Sequence, residues 1–150
     1  MAYTLSSRSL DKLEGVNEDL VKVVKKAIEL TKIDFGVIYG MRTQEEQQKL
    51  FDAGKSQTMK SKHLTGDAVD LMAYVDGKAS WELNLYDDLA DAMKWAATEE
   101  GVVIRWGAAW HLPDISTWNN TKEAAMLSYI DLRRSEGRRP FIDGPHFELN

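Results

Sequence analysis

The residues Ala68-Val69-Asp70-Leu71-Met72 set a carboxylate in the middle of an apolar run that reads as a buried strand. An ionised carboxylate in that position is unfavourable unless a cation or several donors compensate it, so the fold must bring such groups to Asp70. The preceding residues, Ser61-Lys62-His63-Leu64-Thr65-Gly66-Asp67, supply one histidine. Asp143-Gly144-Pro145-His146, close to the C-terminus, supplies a second histidine and a further carboxylate. A bound metal ion would satisfy Asp70.

With no cysteine in the chain, any metal must be held by nitrogen and oxygen donors. The 150 residues, 43% hydrophobic and 29% charged, fit one domain spanning 1–150 with a single core, and nothing in the composition suggests disorder or a second domain. A formal charge of -5 argues against a nucleic-acid binder that works by phosphate neutralisation. Lys25-Lys26, Arg133-Arg134 and Arg138-Arg139 read as solvated helix faces. The N-terminal residues lack a basic region followed by an apolar stretch, and no apolar segment approaches the roughly 20 residues that span a bilayer. The expectation is synthesis in the cytoplasm without an export signal and no membrane insertion.

Periodicity predicts a helix from an Asn17 cap through Leu20, Val23, Val24, Ala27, Ile28 and Leu30, and a short strand over Phe35–Tyr39. Thr43 and Glu46 form the pattern of a capping box opening a helix to about Ala53-Gly54. Residues 55–66 are polar and read as a long loop, of the kind usually kept for function, before a strand over Ala68–Val75. Asp76-Gly77 signals a hairpin returning through Ala79–Trp81. Leu85 to Ala97 mark a helix ended by Gly101, Val102–Trp106 a strand, Thr121–Glu136 a helix, and His146–Leu149 a last strand. Without a Gly-rich phosphate loop or an internal repeat, this order predicts a small α+β domain.

Taken alone, His63 and Asp70 also read as a capped loop and a satisfied core carboxylate; with His146 added, the three would leave the fourth position of tetrahedral zinc open for water, which describes a catalytic site. Peptide hydrolysis there also needs a base to take a proton from water and return it to the leaving amine, and Asp143, turned by Gly144-Pro145, is the candidate; the alternative is a surface Asp-Gly turn. Arg42, at a strand's exit, either stabilises a developing oxyanion or is an exposed arginine without a task. Glu148 shares a strand face with His146 and could orient a ligand or the substrate. Trp106 is read as a cleft wall or as core, and His111 as exposed and uninvolved. Asp76, Asp87, Asp88, Asp91 and Asp114 could suggest an oxygen-only calcium site, but their spacing matches no loop motif and solvated carboxylates are the preferred reading.

Gly40-Met-Arg-Thr-Gln-Glu-Glu-Gln47, the segment 61–70, Arg105-Trp-Gly-Ala-Ala-Trp110 and Asp143-Gly-Pro-His-Phe-Glu148 together resemble the zinc D,D-carboxypeptidase/L,D-endopeptidase group of cell-wall enzymes, peptidase family M15. The likeness is closest to its phage endolysins, which cut between L-Ala and D-Glu. The resemblance implies a Hedgehog/D-Ala-D-Ala-peptidase-like fold, with an antiparallel sheet and flanking helices, and one zinc per chain on His63, Asp70 and His146. It also implies Asp143 as catalytic acid/base, Arg42 as transition-state stabiliser and Ser61 as a substrate contact. The chain departs from many relatives in having Gly107-Ala-Ala-Trp110 where they carry Gly-Gly-Asp-Trp, and in a long segment, 111–139, expected to be a helical insertion near the cleft.

The expected function is hydrolysis of the L-Ala–D-Glu bond of peptidoglycan stem peptides through a zinc-activated water, by a monomer reaching the periplasmic wall with the help of a holin-like release protein. The alternatives are a D-Ala-D-Ala carboxypeptidase or dipeptidase of the same family, and a non-catalytic zinc-stabilised wall-binding module.

Overall fold

Residues 3–55, 61–118 and 120–150 are described by a computed structural model of the chain. The first helix, α1 (Ser7–Lys12), precedes anything the sequence pattern marked; Ser6 caps it, and its buried Ser9 accepts the Val37 amide at 3.0 Å. Helix α2 (Glu18–Leu30) starts where expected, with Asn17 Oδ1 accepting from the Asp19 amide at 2.9 Å and Leu20, Val23, Val24, Ala27 and Ile28 forming the buried stripe. Strand β1 (Asp34–Tyr39) leads to α3 (Gln44–Asp52), whose capping box between Thr43 and Glu46 is formed in both directions. Within the expected loop 55–66, Lys62–Thr65 instead form a 3-10 turn, while 56–60 lie outside the described residues.

Strand β2 (Ala68–Val75) turns at Asp76-Gly77 into β3 (Lys78–Ser80), one residue earlier than the sequence suggested. Helix α4 (Leu83–Glu100) follows, then β4 (Ile104–Trp106). The Val102 amide still donates back to Ala97 O at 2.9 Å, so the helix exit consumes the residues expected to open β4. A 3-10 turn at Ile115–Thr117 precedes α5 (Lys122–Ser135), capped by Thr121, and the chain ends in β5 (His146–Leu149).

The sheet runs β1-β2-β5-β4, antiparallel throughout, with β3 paired to β2. Strand alternation divides its residues in two. Phe35, Val37, Val69, Leu71, Ala73, Ile104, Trp106 and Phe147 enter one hydrophobic cluster with the apolar stripes of α2 and α4. Asp70 pairs directly with His146, and Glu148 with Arg105, so these four side chains share the opposite face. Helix α5 packs against α4 through residues that include Ala125 and Met126, and the Phe141 amide donates to its Tyr129 hydroxyl at 3.2 Å.

The 143–146 turn is clamped to the end of β4: Asp143 N–H donates to Gly107 O at 2.9 Å, and Gly107 N–H to His146 O at 2.8 Å. A Cβ at Gly107 would lie 2.2 Å from Asp143 O, a backbone atom that has no room to yield. Gly107→Ala is therefore expected to lower stability by about 1–3 kcal/mol, as overpacked sites do. Urea unfolding checks this, and an unchanged midpoint and slope would contradict the clamp.

Candidate active site

The exposed edge of Asp70 looks into a cavity of about 560 Å³ on the face of the sheet turned away from the helical core. His146 opens β5 directly opposite, and its Nδ1 lies 3.2 Å from Asp70 Oδ1. His63 arrives from the 3-10 turn: Ser61 Oγ accepts the His63 amide at 3.2 Å, and Gly66, at φ 76°, closes the turn in the left-handed conformation that a side chain would disfavour. Its Nε2 lies 3.4 Å from Asp70 Oδ1 without hydrogen-bond geometry and is buried without a partner. Its Nδ1 is 2.7 Å from Gly40 O, an acceptor for a ring N–H at that position, and this contact turns Nε2 toward the centre of the cluster.

Ligand atoms of His63, Asp70 and His146 all lie within 4.8 Å of one another. Two imidazoles and a carboxylate are a donor set suited to zinc or a related divalent ion, and the unpaired His63 Nε2 is the atom such an ion would satisfy. His146 Nε2, on the far side of its ring, lies 2.8 Å from Glu148 Oε1, and Glu148 Oε2 is 3.4 Å from Lys62 Nζ. Lys62 Nζ also donates to Leu149 O.

Arg42 is buried, so the reading as an idle surface arginine falls away. Its Nη1 donates to Gln47 Oε1 at 2.8 Å, its Nη2 lies 3.5 Å from Asp70 Oδ2, and its guanidinium sits 5.4 Å from the Tyr39 ring centroid. Asp143 lines the same cavity, outside the three-donor cluster, and its carboxyl has no hydrogen bond or ion pair among the described residues.

Electrostatics separate the two aspartates. Burial works against ionisation of Asp70, but contacts with His146 and His63 outweigh it and hold the carboxyl well below the usual range. Asp143 is pushed up to about 6 by burial and by the neighbouring Asp70 charge. For His146, burial alone would lower the pKa, yet hydrogen bonds to Asp70 and Glu148 raise it to about 9. Glu148, despite burial, is held below its ordinary value by His146 and Lys62.

The structure redistributes three expectations. Trp106 is fully buried and does not line the cavity, because it follows the core-facing alternation of β4; its indole N–H donates to Gly144 O at 2.8 Å and supports the 143–146 turn from behind. Trp110 provides that wall, tilted against His146 at 5.3 Å and stacked on Phe141 at 6.4 Å. His111 is half-buried rather than exposed, with Nε2 3.3 Å from Ser128 Oγ and its ring against Tyr129 of α5, away from the site. Among the described residues of 111–139 none lines the cavity. Ser61 does line it, though its Oγ already caps the His63 turn. Sequence reasoning passed over Lys62 and Trp110, whose signal was adjacency to His63 and to the β4 exit.

A family model described as phage L-alanyl-D-glutamate peptidase matches residues 1–150. The chain belongs to that family. The L-alanyl-D-glutamate peptidase of Escherichia phage T5 is 34% identical over 153 residues, covering 99% of each chain. The crystal structure of a Serratia marcescens L-Ala D-Glu endopeptidase, ChiX, superposes with a TM-score of 0.70 at 35% identity, covering 96% of this chain and 87% of that one. This member of the phage L-alanyl-D-glutamate peptidase family is thus a peptidase, and the α+β expectation holds in its antiparallel sheet and flanking helices.

In the metal-free protein the raised pKa of His146 gives stability a direction with pH. A folded-state value near 9, above the ordinary 6.5, means the contribution is complete below about pH 6.5 and is lost as pH rises through 9. Urea unfolding of metal-stripped protein at pH 6 and pH 9.5 should show the lower stability at alkaline pH, and removing Glu148 should shrink the difference.

Proposed function

We propose that this chain is a zinc-dependent peptidoglycan peptidase that hydrolyses the L-Ala–D-Glu bond of stem peptides, with one zinc ion held by His63, Asp70 and His146. The observation that carries the metal reading is His63 Nε2, buried and unpartnered beside two other donors. The choice of bond is supported by the family, which is described as one of phage L-alanyl-D-glutamate peptidases.

Bound zinc supplies a Lewis acid that polarises the scissile carbonyl and acidifies water. The protein's own groups do the rest. Asp143, with a carboxyl poised near neutrality and free of competing partners, accepts a proton from the attacking water and delivers it to the departing D-Glu amine. Arg42, fixed by Gln47 and Asp70, presents a positive donor to the developing oxyanion. Glu148 holds the His146 ring through Nε2, and Lys62 holds Glu148. Ser61, at the cavity wall, has a hydroxyl proton to offer a substrate carbonyl, and Trp106 positions Asp143 through Gly144.

Action on the periplasmic wall by a monomer, after release by a holin-like protein, belongs to the same proposal; no helix among the described residues is long and apolar enough to cross a membrane.

Digestion of purified peptidoglycan followed by mass spectrometry is the direct test. New D-Glu amino termini are expected; release of free D-Ala would instead identify a carboxypeptidase, and an unaltered wall a non-catalytic module. Asp143→Ala should keep one zinc per chain by elemental analysis while losing activity by about 10²- to 10⁴-fold, the usual range for a removed acid/base group. His63→Ala and His146→Ala should lose zinc and thermal stability together, because metal affinity is linked to folding.

A further inference from the structure

Arg105 stands apart from the other cations of the cleft. It lies on β4, paired with Glu148, and so faces the cavity from the same side of the sheet as His146. Arg42 is tied to Asp70 and Gln47, and Lys62 to Glu148. Despite that strand register, Arg105 forms no side-chain ion pair among the described residues, and the chain that follows it, Gly107-Ala108-Ala109, has no acid to offer. Of its N–H donors, one has an acceptor, Trp110 O. Its Nε is buried without a partner, and so is Nε1 of Trp110 on the same wall.

The guanidinium is nevertheless held in place, 5.4 Å from the centroid of the Trp110 ring, and the same indole leans on His146 at 5.3 Å. One indole therefore separates a half-buried, unneutralised cation from the reacting centre. A partly desolvated guanidinium with free donors favours a planar two-oxygen anion, which it binds through parallel hydrogen bonds.

The substrate reading above supplies such an anion. In a stem peptide, D-glutamate continues the chain through its side-chain carboxyl, so its α-carboxylate stands free on the carbon next to the scissile nitrogen. That group enters the cleft on the leaving side of the bond, where Asp143 must deliver a proton. We propose that Arg105, backed by the Trp110 indole, is the receptor for the D-glutamate α-carboxylate and makes the enzyme selective for stem peptides in which that carboxyl is free rather than amidated. The inference rests on the peptidase reading and deepens it.

The test compares two synthetic stem peptides, one with the free α-carboxylate and one with the α-carboxamide, on the zinc-loaded full chain. Wild type should favour the carboxylate by about 10- to 100-fold in kcat/KM, the span of a charge-assisted pair. Arg105→Gln should bring that ratio close to one, mainly by raising KM for the carboxylate peptide, and Arg105→Lys should restore part of it. Lys55→Gln, at the exposed rim of the cavity, should keep the ratio. Equal cleavage of both peptides by wild type overturns the receptor and leaves the peptidase reading standing, as does an unchanged ratio in Arg105→Gln. Cleavage of neither peptide by zinc-loaded wild type removes the peptidase reading itself, and the receptor with it.

Discussion

The negative charge of Asp70 is the constraint to which the rest of the site answers. It sits mid-strand in β2, and every group that compensates it comes from a different part of the chain: His63 from the 3-10 turn, Arg42 from the exit of β1, His146 from β5. A buried ionic cluster of this type is a weak source of stability, since desolvation offsets most of the attraction. What it provides is a preset geometry, because each partner of Asp70 is also held from behind: His63 by Gly40 O, Arg42 by Gln47 and His146 by Glu148. The same arrangement that neutralises the carboxylate brings two imidazoles to one of its oxygens.

Sheet alternation makes that arrangement compatible with a hydrophobic core only about 150 residues of chain can build. Val69 and Leu71 face the helices, and Asp70 between them faces the cleft; Phe147 faces the helices, and His146 and Glu148 on either side face the cleft. The groups proposed to do chemistry are thus mounted on strands whose other face is locked by packing. Asp143 is the exception, lying on a turn, and the turn is fixed by backbone bonds to Gly107 and by the Trp106 indole. Elements that do not touch substrate still set where a carboxylate points.

Much of this was legible because the signals were local. Asn17 and the Thr43–Glu46 pair cap their helices as their side chains dictate, and Thr121, read as the first residue of α5, is its cap. The metal-compatible residues were legible because a carboxylate in an apolar strand demands partners of few kinds. Helix α1 was missed since its six residues show no apolar stripe and are held by the buried Ser9 hydroxyl bonding a distant strand. Trp106 takes the core alternative of its reading because facing depends on strand register: pairing with Phe147 turns Trp106 to the core, and Arg105 to the cleft. Arg42 could not be settled from its own neighbourhood, as its burial rests on Asp70, 28 positions away. His111 was read as exposed, but the rings of Trp118 and of Tyr129 in α5 pack against it.

The two aspartates of the cleft show how one fold assigns opposite tasks to the same side chain. Asp70 has the Arg42 guanidinium at one oxygen and two imidazoles at the other, and the imidazole contacts outweigh burial and hold its carboxyl well below the usual range, the ionised state that the proposed metal ligand requires. Asp143 shares the cavity but has no such partner; burial and the Asp70 charge then act in the same direction, and its carboxyl rises to about 6. Fixing Asp70 as an anion is therefore part of what tunes Asp143, since the ligand's charge is one of the two influences raising its neighbour. A substitution that neutralised Asp70 would remove a donor from the proposed metal site and also withdraw that electrostatic support from the proposed proton carrier. The proposed ligand set and the proposed acid/base group are, in this sense, one electrostatic unit.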